Sequence, residues 1–150
     1  MTIDRELIRS RANYLCEYCH SPEQISATRF TVDHIVPQSL GGSDDLNNLA
    51  LACRRCNERC YNFISGYDPV TKTIVPLFNP RSHQWKDHFI WSADTKSIVG
   101  KTPMGRATVS RLDLNDERYL EQDSIRNTRS FWAKAGWHPP SNDPKLKSDN

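Results

Sequence analysis

The chain has 150 residues, of which 37% are apolar and 25% charged, and its formal net charge is +2. A chain of this length buries roughly 68–70% of its unfolded surface, which suits one hydrophobic core without disulfide staples. No apolar run approaches the roughly 20 residues of a membrane span, and the near-balance of charge removes bulk electrostatics as the mark of a polyanion binder.

The elements follow in chain order. A first helix is predicted over residues 4–14, capped by Asp4, with Ile8, Ala12 and Leu15 on one narrow apolar stripe. A tight knuckle, Cys16-Glu17-Tyr18-Cys19, comes next. Residues 29–36 are rich in β-branched and aromatic side chains and predict a strand that Pro37 ends. Gly41-Gly42 and the polar stretch to Asn48 predict a loop. A short apolar run, Leu49 to Ala52, leads to Cys53-Arg54-Arg55-Cys56 and a helix to about Ile64. Beyond it, strands are predicted over 73–78, 87–92 and 97–102, the last two joined by a turn at residues 93–96. Helices are predicted over 104–112 and 115–135, the second stopped near Gly136. The polar residues from about 141 onward predict a loose tail. Residues 1–64 are expected to form one core and 65–150 an extension packed on it.

Four of the five cysteines form two C-x2-C pairs, Cys16/Cys19 and Cys53/Cys56. Zn2+ favours four soft ligands at tetrahedral corners, and each pair can supply one edge of that tetrahedron. The competing readings are two disulfides and, because Cys16 to His20 spells C-E-Y-C-H, a c-type haem attachment. The N-terminal residues are charged and lack the apolar core of a signal peptide. The expected compartment is therefore the cytoplasm, where thiols stay reduced and cysteine clusters bind metal. Haem would also leave the second pair unexplained. Cys60 belongs to neither pair and is expected as a small semi-buried side chain. His20 is expected on an exposed loop.

Between the pairs lie Asp33-His34-Ile35-Val36-Pro37, Gly41-Gly42 and Leu46-Asn47-Asn48-Leu49, and Asn57 follows the last paired cysteine directly. In this order and at this spacing, over about residues 5–64, the pattern resembles the HNH endonuclease family in its H…N…N form. The resemblance implies an α+β fold: a ββα-metal (His-Me) finger with a structural four-cysteine zinc site, followed here by a mixed α/β C-terminal extension. It implies hydrolysis of DNA, with a hairpin supplying Asp33 and His34 and a helix supplying Asn57. By the same resemblance Asn48 holds the loop backbone and so fixes His34.

The chemistry of the residues is compatible with those roles. Neutral imidazole accepts a proton from water near pH 7, so His34 can serve as general base. Asp33 and Asn57 offer hard oxygens suited to Mg2+ or Mn2+. Successive strand residues point to opposite faces, so Asp33 and His34 need a bend or a strand end to share one metal. Arg54, Arg55 and Arg59 are candidate phosphate contacts, the last two on one helix face. The helix N-terminus is expected to favour phosphate as well. The family often carries Lys where this chain has Cys60.

Within residues 65–140, several stretches are similar to the C-terminal part of small stand-alone bacterial HNH proteins, which assigns them no activity. The aromatic residues Phe78, Trp85, Phe89, Trp91, Phe131, Trp132 and Trp137 are expected mostly as core, with base stacking as the alternative. The expected partner is DNA, with no membrane and no small-molecule substrate. One finger cuts one strand, so double-strand cleavage calls for a homodimer or two events. The alternatives are a non-catalytic zinc-stabilised nucleic-acid-binding module and a zinc-clamped protein-interaction domain.

Overall fold

The computed structural model describes residues 3–148. Its contacts divide the chain into two compact units, Met1–Ile64 with Asn79–His83, and Ser65–Phe78 with Gln84–Asn150. The fold is α+β, built from short helices and three two-stranded antiparallel sheets.

In the first unit, helix α1 spans Arg5–Arg11, shorter than predicted, and Asp4 caps it by accepting from the Leu7 N–H. Strands β1 (Thr31–His34) and β2 (Leu49–Ala52) pair antiparallel, with Asp33 opposite Ala50 and His34 opposite Leu49. Helix α2 (Arg54–Cys60) follows β2 directly. All four β2 residues are buried, and Ile8, Tyr18 and Phe30 are buried in the same unit. A buried ion pair, Arg9 to Glu23 at 3.1 Å, adds to this small core, and Glu23 also accepts from the Phe30 N–H at 2.8 Å. Arg81 pairs with Glu17, which accounts for the placement of 79–83 in this unit.

In the second unit, β3 (Ser65–Asp68) pairs with β4 (Thr73–Pro76), and β5 (Phe89–Trp91) pairs with β6 (Ile98–Gly100). The helices are α3 (Trp85–His88), α4 (Pro103–Arg111) and α5 (Ile125–Lys134). Residues 87 and 88 were expected as the start of a strand but belong to the single helical turn of α3, ahead of β5. Helix α4 has Thr102 as its cap and proline at its start, the arrangement that suits a helix N-terminus.

The predicted helix 115–135 shrinks to α5 because its first residues serve other contacts. Asn115 bonds both ways with the Ile98 backbone, and the Asp116 carboxylate accepts from the Ile125 N–H. The tail differs from its expectation too. Asp143 accepts from the Trp91 indole at 2.9 Å, and the Leu146 N–H donates to the Trp91 carbonyl at 2.9 Å. Residues 149–150 of that tail lie outside the described residues.

The core of this unit is aromatic. Phe78, Trp85, Phe89 and Trp91 are buried, with ring centroids 5.1–5.7 Å apart in the Phe78–Phe89, Trp85–Phe89 and Trp85–Trp91 pairs. Arg129 is buried with its guanidinium 5.1 Å from the Trp91 ring, and it donates to the Leu114 and Lys96 carbonyls. Phe131 and Trp137 are exposed.

Candidate active site and metal centre

The two C-x2-C pairs converge. The sulfurs of Cys16, Cys19, Cys53 and Cys56 all lie within 4.8 Å of one another, and all four residues are buried. The Cys19 and Cys53 sulfurs are 3.7 Å apart. Tetrahedral zinc with Zn–S bonds of about 2.3 Å separates its sulfurs by about 3.8 Å, so the pair already has that spacing. Local backbone shapes both halves. The His20 N–H closes the first knuckle onto the Cys16 carbonyl, and Cys53 caps α2 by accepting from the Cys56 N–H at 3.4 Å.

Sharing charge among four buried sulfurs splits their acidities. Burial foremost pushes Cys16 well above an ordinary thiol. Hydrogen bonds from Cys16, Cys53 and Cys56 hold Cys19 well below it, and the nearby Arg55 charge adds to that. A divalent cation is the natural partner of such a set. Cys60 is buried outside the cluster, and His20, expected exposed, is half-buried.

The second site lies at the end of β1. A cavity of about 480 Å³ is lined by Asp33, His34, Gln38, Asn57, Glu58 and Tyr61, among others. Three successive residues of β1, Val32 to His34, line it, so it wraps the strand end rather than one face. That placement resolves the alternation that separates Asp33 from His34 on a regular strand. Asp33 is buried, and its Oδ2 has no hydrogen-bond partner among the described residues. Burial pushes its carboxyl up to about 6.

The His34 Nε2 lies 2.7 Å from Asp44 Oδ1. This hydrogen bond holds the Asp44 carboxyl below its usual range, so Asp44 is ionised and acts as the acceptor. The proton between them therefore belongs to Nε2, which makes Nδ1 the basic nitrogen of His34.

The loop between the two strands explains how Asp44 reaches His34. Asn48 ties it at three points: its Oδ1 accepts from the Val36 N–H, and its Nδ2 donates to the Val36 and Ser43 carbonyls. Gly41 has a φ of +88°, and a Cβ at Gly42 would sit 1.7 Å from the Val36 carbonyl oxygen. Only glycine fits this tight turn, and the turn carries Asp44 back over the strand end. Sequence reasoning missed Asp44. The available signal was an acidic residue just after the glycine pair, but nothing local shows which side chain it meets.

The three arginines diverge. Arg54 is exposed and bonded to Glu58 at 2.8 Å, whereas Arg55 and Arg59 are half-buried. At the N-terminal end of the seven-residue α2 the Cys56 N–H donates to the Cys53 sulfur. In the second unit, Arg106 grips Asp68 and His88 bonds Thr102. A larger cavity of about 550 Å³ has Asp4, Asp44, Asp45 and Asn47 as its polar lining, an acidic set that repels phosphate.

Residues 16–63 match the family model for HNH endonucleases. The chain carries an HNH domain there. The matched segment holds the cysteine cluster and the cavity at the end of β1. No curated protein and no solved structure matches the chain. An HNH domain points to nuclease or nucleic-acid-binding chemistry, with nucleic acid as the partner, and the four cysteines point to zinc. No helix among the described residues is long and apolar enough to cross a membrane.

Proposed function

We propose that the chain is a metal-dependent endonuclease that hydrolyses DNA phosphodiester bonds, with zinc held structurally by Cys16, Cys19, Cys53 and Cys56. The observation that carries this reading is the single cavity that gathers Asp33, His34 and Asn57 at the end of β1. A pure binding module needs no such trio.

In this reading His34 is the general base. Asp44 fixes the ring through Nε2–H, so Nδ1 takes the proton from the attacking water. Asn48 acts through the loop: it holds Val36 and Ser43 and thereby the strand end that carries His34. Asp33 and Asn57 are the residues that would hold a divalent cation, Mg2+ or Mn2+. The fit rests on Asp33 Oδ2, a buried oxygen without a partner among the described residues, whose cost a hard cation would offset. When bound, such a cation neutralises charge on the phosphate and on the leaving oxygen. Arg54, Arg55 and Arg59 of α2 remain candidate phosphate contacts. The five reduced cysteines fit a reducing compartment such as the cytoplasm.

The test is supercoiled plasmid with added Mg2+ or Mn2+. Wild type should nick it, and His34→Ala should lose about 10²–10⁴-fold in rate while keeping its zinc. Asp44→Asn should fall between them. Binding without metal-dependent, His34-dependent cleavage would instead establish the binding module.

A further inference from the structure

Tyr61 ends α2 with φ 45° and ψ −123°. Positive φ disfavours any residue with a Cβ, and this ψ also lies outside the small left-handed helical region that such residues visit. Glycine would take this conformation freely, yet the position holds a large aromatic ring. That ring contributes little to the core, because Tyr61 is 68% exposed. It lines the same cavity as Asp33, His34 and Asn57. A strained backbone that presents an exposed ring beside a candidate active site marks a residue kept for a ligand.

The neighbouring side chains indicate which ligand. The cavity that Tyr61 lines also presents Gln38, Ser39, Glu58 and Asn62, with Val32 and Pro37 as its apolar members. This lining is mostly polar and offers an apolar protein side chain only a small area to bury against. A nucleobase has a flat face for the ring and polar edges for the amides and hydroxyl. Stacking on an aromatic ring tolerates any base, but both faces of a paired base are already occupied inside a duplex.

We propose that Tyr61 is a substrate-contacting residue that stacks on an unpaired base flanking the scissile phosphate, so that the preferred substrate is DNA with locally unpaired bases. This rests on the nuclease reading and narrows its substrate.

The experiment compares a DNA duplex containing a short unpaired bubble with its fully paired counterpart, using the full chain with zinc and Mg2+. Wild type should show the lower KM on the bubble. Tyr61→Ala should raise that KM about tenfold, leave kcat in place and erase the preference, whereas Tyr61→Phe should retain it. Tyr61→Gly should lose the preference equally while its Tm rises by about 3 °C from relief of strain, which separates recognition from folding. Equal KM for the two substrates in wild type, or an unchanged KM in Tyr61→Ala, overturns the proposal and leaves the nuclease reading intact. If the chain binds but does not cleave, the nuclease reading fails, and the Kd values for the same two DNAs decide the stacking by the same criteria. Binding to neither DNA overturns both.

Discussion

All five cysteines lie in the first unit and all four tryptophans in the second. The first unit has fewer than about 70 residues, a size at which a single core rarely suffices and a metal staple compensates. Among the described residues its strands are four residues long and its two α-helices seven each, and the cysteine cluster draws distant parts of this short chain together. The second unit instead stacks aromatic rings around Trp91 and seats Arg129 on backbone carbonyls. In the first unit, which holds the cysteine cluster, the buried Asp33 has a carboxylate oxygen without a partner among the described residues. In the second unit the buried Asp68 is fully engaged, by Arg106, Thr71 and the Val70 N–H. Unsatisfied polarity at Asp33 falls where chemistry is expected, and satisfied polarity at Asp68 where support is needed.

The comparison breaks most visibly at the cysteines. Structural zinc contributes on the order of 10–16 kcal/mol in small metal-dependent domains. Cys53→Ser, or zinc chelation, should therefore unfold the first unit and release one zinc per chain. Tryptophan fluorescence reports only the second unit and should change little. Loss of the tryptophan signal together with zinc would show that the two units share one cooperative transition.

Trp91→Ala probes the opposite side. Removing this buried ring should cost about 3–5 kcal/mol, read as a lower denaturant midpoint for the tryptophan signal. Zinc content should stay at one per chain. A variant that loses zinc as readily as it loses aromatic packing would erase the distinction.

The smallest effect is the most specific. Burial raises the Asp33 carboxyl from 3.8 to about 6, so the folded state prefers the protonated form. The stabilisation is complete at pH below about 4 and is lost as pH rises through about 6. With Mg2+ and Mn2+ withheld, Asp33→Asn should be more stable than wild type by up to about 3 kcal/mol at pH 8. The two should converge near pH 4 while the variant stays inactive. A thermal-melt series across pH reads this directly, and a destabilised Asp33→Asn would show that the carboxylate has a structural partner.

Much of the site was legible in the sequence because its parts are local. The C-x2-C spacing forms a knuckle by itself, the β-branched run makes β1, and residues 46–48 lead into the buried strand β2. Local periodicity also predicted α4, expected over 104–112 and found over Pro103–Arg111, although its Thr102 cap and Pro103 start were seen only in the structure. Local signals failed where side chains are committed to distant backbone. Asn115 and Asp116 belong to a helical pattern on paper, but each is drawn to a partner well away in sequence, and α5 starts later. The composition of the polar tail predicts a loose segment, because nothing in it announces that Trp91 will bond to it.

By itself, the sequence determined the ligand types, their spacing and the α+β class, since each depends on neighbours within a few residues. Tertiary structure alone decided three things. It brought four cysteines within 4.8 Å across the intervening chain. It folded Asp44 back onto His34 through the Gly41–Gly42 turn. It also placed an exposed, strained Tyr61 at the rim of the same cavity. The physical reason is common to all three. Side-chain periodicity and turn propensity are local quantities, whereas which donor meets which acceptor is settled only when the chain closes its loops and each buried polar group finds its partner.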